Sequence, residues 1–83
     1  MNKELTLFYT GWTTSCKKVL DYIDELNGDG YTVTKVNIDD NPALVDQLDV
    51  KAIPTVILFD NGNELDRVVG DVDKEVLIEK LNI

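Results

Sequence analysis

The sequence predicts a small α/β protein in which a mixed four-stranded sheet carries helices on both faces. Three observations lead to this prediction. Short runs of apolar and β-branched residues alternate with segments whose apolar residues recur at steps of three and four. The dipeptide Asn61-Gly62 lies between two strand patterns and is a strong signal for a β-hairpin. The resulting order, β-α-β-α-β-β-α, places a parallel pair and an antiparallel hairpin in one sheet.

Length and charge limit the classes of function. A chain of 83 residues can bury one core, so residues 1–83 are predicted to form a single domain. Eight basic and sixteen acidic side chains give a net charge of −8, which disfavours nucleic acid or an anionic membrane as partner. The sequence starts at Met1 without an apolar signal region, which predicts a cytoplasmic protein. We also expect a monomer.

Thiol chemistry has one candidate in this chain. The sequence contains one cysteine, Cys16, and no histidine. An internal disulfide and a zinc site built from cysteine and histidine are therefore excluded. We expect neither a metal nor a cofactor.

The first half of the chain is predicted to form a strand, a helix and a second strand. The first strand, about Lys3 to Thr10, is apolar on both sides, as expected at the centre of a sheet. Thr13 is the favoured N-cap of a first helix over about Thr14 to Asn27. Gly28 to Gly30 ends this helix, because glycine tolerates the left-handed conformation. The second strand is predicted over Tyr31 to Ile38.

A short helix and a third strand follow. Pro42 suits the first position of the second helix, which is predicted to stop by about Val50. The third strand lies within the β-prone run from Ala52 to Phe59. Pro54 is placed at its first residue or its edge, because proline has no amide hydrogen to donate.

The last part of the chain is predicted to form the returning strand of the hairpin and a third helix. The strand covers Glu64 to Val69 and is closed by Gly70. Either Asp71 or Asp73 can cap the helix. Three apolar side chains of this helix are expected to face inward: Val76, Leu77 and Leu81.

The chain resembles the thioredoxin family over nearly all of its length. The combination that carries the resemblance is Trp12 directly before a C-x-x-C-like tetrad, with Ile53-Pro54-Thr55 about forty residues later at the entry to a hairpin. The matching segments are Phe8 to Lys17, Lys35 to Pro42, Val50 to Thr55, and Phe59 to Gly62 with Gly70. The resemblance implies a thioredoxin-like fold, in the short, glutaredoxin-sized form that lacks an additional N-terminal strand and helix.

The resemblance also implies the chemistry of the tetrad. In the family the first cysteine attacks a substrate disulfide, and the second resolves the mixed disulfide. Here Thr13 occupies the attacking position and Cys16 the resolving position. A threonine hydroxyl makes no disulfide, so the two-cysteine cycle does not run in this chain. The family often has an acidic residue beneath the second cysteine, where this chain has Leu7, which leaves Lys35 or water as proton acceptor.

A binding groove follows from the same resemblance. In the family the proline that matches Pro54 is cis and stands against the C-x-x-C turn. The residue before it, here Ile53, pairs through its backbone with an extended substrate segment. Trp12 is expected to be a partly exposed ring beside this groove. The implied partners are protein disulfide or thiol substrates, together with a thioredoxin-reductase-type or ribonucleotide-reductase-type protein.

Three functional hypotheses remain open at this point. The first is a thiol-disulfide oxidoreductase whose attacking cysteine is replaced by Thr13. The second is a redox-inactive module that docks a partner protein in the groove of Trp12, Ile53 and Pro54. The third is single-thiol chemistry at Cys16. Peroxiredoxins also place a threonine three residues before a reactive cysteine, but this chain does not match their proline or their activating arginine. As an alternative to all three, Cys16 fits a small core residue as well as a reactive one, and Thr13 fits an N-cap better than a catalytic group.

Overall fold

A computed structural model describes residues 3–83 as four strands, three α-helices and a 3₁₀ helix. The predicted order β-α-β-α-β-β-α is confirmed. The elements are β1 (Lys3–Tyr9), α1 (Lys17–Tyr22), the 3₁₀ helix (Ile23–Gly28), β2 (Thr32–Asn37), α2 (Pro42–Gln47), β3 (Thr55–Asp60), β4 (Asn63–Val69) and α3 (Lys74–Leu81). Within residues 3–83, no helix has the length and apolar character needed to cross a bilayer.

The four strands form one mixed sheet in the order β2-β1-β3-β4. β1 runs parallel to β2 and antiparallel to β3, and β3 and β4 form the antiparallel hairpin. The central position of β1 was predicted from its apolar residues on both sides. Leu5, Leu7 and Phe8 are fully buried, because helices cover both faces of the sheet at this strand.

The hairpin has the backbone geometry that Asn61-Gly62 predicts. Both residues have positive φ, 52° and 84°, as a type I′ turn requires. The register shifts by one residue within the hairpin, since Leu58 pairs with Asp66 whereas Phe59 pairs with Glu64. The intervening Leu65 is the additional residue of a β-bulge, and its side chain is 53% exposed.

Two apolar clusters lie on opposite faces of the sheet. The larger cluster packs Leu5 and Leu7 of β1 against α1, the 3₁₀ helix and α3. The smaller cluster packs Phe8 and neighbouring strand residues against α2. Successive side chains of a strand point to opposite faces, so Leu7 and Phe8 enter different clusters. The predicted α/β class with helices on both faces is therefore confirmed.

The boundaries of the first helix differ from the prediction. α1 begins at Lys17 rather than Thr14, because the preceding residues form a turn in which the Lys17 amide donates to the Thr14 carbonyl at 3.1 Å. Local side-chain hydrogen bonds of threonine and serine compete with helix geometry in this way. From Ile23 onward the helix tightens into 3₁₀ geometry, which is common at helix ends.

Two boundaries in the middle of the chain are set by local backbone geometry. α2 begins at Pro42 and ends at Gln47, before Val50 as predicted, and Asp49 adopts a positive φ of 56° just beyond it. β3 begins at Thr55, after Pro54. The Thr55 hydroxyl donates to the Ala52 carbonyl at 2.6 Å, a bond that closes the turn directly before β3.

The third helix shows two further differences. Leu77 and Leu81 are buried, as predicted, but Val76 is 36% exposed because it lies off the face that positions 77 and 81 share. Asp73 occupies the N-cap position of α3, but its side chain makes no capping hydrogen bond there. Asp71 does not cap α3 either, since its carboxylate binds the start of α1.

Candidate functional site

The tetrad of residues 13–16 lies between the end of β1 and the start of α1. The Thr13 hydroxyl accepts the Ser15 amide at 3.3 Å and donates to the Ser15 hydroxyl at 3.4 Å. Thr13 therefore caps the turn, as its hydroxyl predicts, whereas the N-cap position of α1 belongs to Cys16. The prediction of Thr13 as the N-cap of the first helix was therefore wrong, since the N-cap lies three residues later at Cys16.

Cys16 is fully buried at the first turn of α1. Its side chain has no exposed area, and its carbonyl accepts the Leu20 amide at 3.0 Å. The thiol makes no capping hydrogen bond. Thr13 is only partly buried, so residue 13 is in part exposed to solvent while residue 16 is shielded by the core.

The β1 position at which the resemblance predicts an acid holds Leu7, which offers no carboxylate to the thiol. Leu7 is fully buried in the larger cluster with Val19 of α1. Lys35 pairs with Leu7 in the strand register, but its ammonium lies 3.1 Å from an Asp24 carboxylate oxygen at the surface. Neither residue therefore acts as an obvious proton acceptor for Cys16.

Trp12 and Ile53 line one cavity although 41 residues separate them in the sequence. The cavity has a volume of about 170 Å³, and the Trp12 ring beside it is 72% exposed. A second depression of about 600 Å³ continues toward α2. The two share four lining residues, Ile38, Val45, Val50 and Lys51. Together they form a groove that runs from Trp12 to the start of α2, and we call it the Trp12 groove.

Pro54 is buried next to the groove, and the peptide bond from Ile53 to Pro54 is cis. The Pro54 carbonyl accepts the Gly70 amide at 2.9 Å. The following residue, Asp71, accepts the amides of Lys18 at 3.2 Å and Val19 at 2.9 Å through its carboxylate. A short chain of contacts therefore connects the Pro54 turn to the first turn of α1.

Sequence reasoning missed this role of Asp71. It assigned the residue to α3, the helix that follows it directly, because capping is usually local. The signal in the sequence was the lack of a good capping residue directly before α1. Cysteine at the N-cap position leaves the first amides of this helix without a local acceptor. An acidic residue after the glycine that closes β4 can supply that acceptor only once the tertiary fold brings it to α1.

Tyr22 gives the same loop a second attachment to α1. Its hydroxyl donates to the Val72 carbonyl at 2.9 Å. Burial, together with the negative charges of Asp71, Asp73 and Glu75, raises the pKa of Tyr22 to about 12. The phenol therefore remains a hydrogen-bond donor throughout the neutral pH range.

The sheet topology, the strand-turn-helix tetrad and the groove beside a cis-proline define a protein of the thioredoxin-fold class. The sequence model of the Thioredoxin family matches residues 2–83. The chain is 44% identical over 77 residues to the thioredoxin of Chlamydia caviae, which covers 90% of this chain and 76% of that protein. The chain therefore belongs to the thioredoxin family.

Other thioredoxins are similar over comparable lengths. Thioredoxin 1 of Synechococcus elongatus is 36% identical over 78 residues, covering 90% of this chain and 73% of that protein. The thioredoxin of Staphylococcus haemolyticus is 35% identical over 82 residues, covering 95% of this chain and 79% of that protein. These relatives support a thiol-disulfide oxidoreductase function.

Proposed function

We propose that this chain is a thioredoxin-type thiol-disulfide oxidoreductase in which Thr13 occupies the position of the attacking cysteine and only the resolving Cys16 remains. The observation that carries the proposal is the placement of residues 13 and 16 at one turn. Residue 13 is partly exposed beside the Trp12 groove, and residue 16 is fully buried at the N-cap of α1. An accessible first position and a shielded second position suit attack and resolution, respectively.

The reaction needs two sulfur atoms with different tasks. A thiolate at residue 13 attacks one sulfur of the substrate disulfide, forms a mixed disulfide and releases the first substrate thiolate. The Cys16 thiolate then attacks the sulfur of residue 13, which releases the second substrate thiolate and leaves a disulfide between residues 13 and 16. The substrate gains two electrons, and the protein loses them. With Thr13 in place, the first step has no sulfur, so the chain binds substrate without attacking it.

The proposed substrate is an extended, disulfide-bearing segment of another protein. Ile53 supports this proposal, because its backbone amide and carbonyl have no hydrogen-bond partner in the part of the chain that the structure describes. Free backbone groups before a strand can pair with an added strand. The exposed Trp12 ring offers apolar contact area at the other side of the groove.

The remaining parts of the proposal concern the setting in which the chain works. We place it in the cytoplasm as a monomeric single domain of residues 1–83. Its proposed partners are disulfide-bearing proteins, together with a reductase of the thioredoxin-reductase type or a ribonucleotide-reductase-type protein. The similarity to thioredoxins supports this setting.

The test separates the roles of residues 13 and 16. Thr13→Cys and the double variant Thr13→Cys/Cys16→Ser are each mixed with an excess of a peptide disulfide, and adducts are followed by intact-mass spectrometry. The double variant is expected to accumulate one peptide per chain, because serine cannot resolve the mixed disulfide. Thr13→Cys is expected to lose the adduct and release the second peptide thiol.

The two variants differ only at residue 16, so each is the control of the other. Adducts of equal lifetime in both would show that Cys16 does not resolve and would end the assignment. The redox-inactive hypothesis predicts that outcome, since it gives Cys16 no chemical task.

A further inference from the structure

We propose that Asp71 is a positioning residue of this site, which fixes the loop after β4 on the first turn of α1 and places a negative charge at the N-terminal end of α1, the end next to the tetrad. The inference rests on the proposed function, because its effect on chemistry requires a sulfur at residue 13. It predicts that Asp71 makes a thiolate at that position harder to form.

The hydrogen bonds of Asp71 replace a local helix cap. A capping side chain at the N-cap usually accepts the second or third amide of its own helix. In α1 the N-cap is Cys16, whose thiol makes no such bond, and the acceptor is supplied from 52 or 53 residues away. The Asp71 carboxylate takes the amides of Lys18 and Val19, the second and third of the helix.

The residues on both sides of Asp71 are held as well. The Gly70 amide donates to the Pro54 carbonyl at 2.9 Å, and the Val72 carbonyl accepts the Tyr22 hydroxyl at 2.9 Å. Gly70 has a φ of 114°, a conformation that glycine adopts readily. The backbone on both sides of Asp71 is therefore held by hydrogen bonds, and its carboxylate lies between the Pro54 turn and α1.

A fixed carboxylate at a helix start affects other anions at the same end. The unpaired amides of the first turn attract negative charge, but Asp71 already uses two of them. A thiolate at residue 13 would lie in the turn before α1, at the same end of the helix as that carboxylate. The two negative charges repel each other, so removing the Asp71 charge should favour the thiolate.

Several other charged or titratable groups lie on the elements around Asp71 and the tetrad. They come from α1, the loop after β4, α3, the segment before Pro54 and the loop after β2: Lys17, Lys18, Tyr22, Asp73, Glu75, Lys51 and Asp39. Lys18 lies 3.7 Å from Asp73, and both side chains are well exposed, which weakens their effect through solvent. All seven remain unchanged in the variants compared below.

The experiment measures one thiol against pH. In the background Thr13→Cys/Cys16→Ser, the rate of alkylation by iodoacetamide is recorded as a function of pH, with and without Asp71→Asn. Asparagine keeps an acceptor oxygen but removes the charge. The midpoint of the pH profile is expected to fall by about 0.2 to 0.7 pH unit, the size of a single charge effect at a helix end.

Two further variants separate charge from structure. Asp66→Asn removes an exposed carboxylate from the middle of β4 and is expected to leave the midpoint unchanged. Asp71→Ala also removes the two hydrogen bonds, so it should lower the melting temperature by about 4 to 8 °C, as loss of a helix cap does in a small domain.

The outcomes are decisive for Asp71 alone. An unchanged or higher midpoint in Asp71→Asn would overturn the electrostatic role, and an unchanged melting temperature in Asp71→Ala would overturn the positioning role. Alkylation needs no disulfide substrate. Failure of Thr13→Cys to reduce disulfides would therefore count against the proposed function without deciding the role of Asp71.

Discussion

Thr13→Cys is expected to reduce a protein disulfide at least about 100-fold faster than the parent chain. The variant supplies the missing attacking sulfur next to Cys16. Well-placed intramolecular groups reach effective concentrations of about 10⁵ M or more, so resolution by Cys16 should be fast compared with attack by a separate thiol. The measurement is the rate at which the reduced variant, with a regenerating reductant, cleaves a fluorescent disulfide-linked peptide.

Thr14→Cys is the matched control for this gain. It adds the same sulfur to the same exposed turn but changes the spacing to Cys16. We expect its rate to stay close to that of a free surface thiol. If Thr13→Cys were no faster than Thr14→Cys, residue 13 would have no special position, and the assignment of the tetrad would be wrong.

Leu7→Ala is expected to lower the free energy of unfolding by about 2 to 5 kcal/mol. Leu7 is fully buried on the central strand and packs in the larger cluster. Its truncation removes apolar contacts and leaves a cavity between β1 and α1. The loss is large beside the total stability of about 4 to 12 kcal/mol typical of a domain of this size. Denaturant unfolding followed by circular dichroism measures it.

Leu65→Ala is the control of the same residue type. Leu65 is 53% exposed at the bulge of β4, so its truncation should change the unfolding free energy by no more than about 0.5 kcal/mol. Equal losses in Leu7→Ala and Leu65→Ala would contradict the burial of Leu7 in the larger cluster. An acid at this buried position would need a partner, whereas Leu7 needs none.

The sequence predicted the parts of the fold that local patterns determine. Apolar residues on both sides of β1 predicted its central place, because a strand between two helical layers buries both faces. Asn61-Gly62 predicted the hairpin turn, since the two residues tolerate the positive φ values that such a turn needs. The four-residue spacing of Leu77 and Leu81 predicted that both lie on the buried face of α3.

The features that the sequence left open depend on contacts between distant residues. The start of α1 depends on side-chain hydrogen bonds within the tetrad and on Asp71, which reaches it from the loop after β4. No local pattern distinguishes an aspartate that caps its own helix from one that caps another. The position of Leu65 at a bulge likewise depends on the strand register, which hydrophobic alternation does not specify for the exposed edge.

The candidate site also has features that local sequence predicts and features that depend on contacts between distant residues. Local sequence shows a hydroxyl-rich turn before a helix and a proline before a strand, but it does not bring them together. The resemblance to the thioredoxin family supplied that link, and the structure places Trp12 and Ile53 on one cavity. The full burial of Cys16 could not be predicted, because a cysteine at a helix start fits both a core position and a reactive one.

The most direct test of the central claim is whether a sulfur at residue 13 bonds to Cys16. Oxidised Thr13→Cys is digested with trypsin without reduction, and the peptide from Glu4 to Lys17, which holds both sulfurs, is weighed. We predict a monomeric chain whose peptide lacks both thiol hydrogens, since residues 13 and 16 lie three apart in the single turn that precedes α1. Free thiols that persist under oxidation, or linkage only between separate chains, would contradict the assignment of residue 13 as the attacking position.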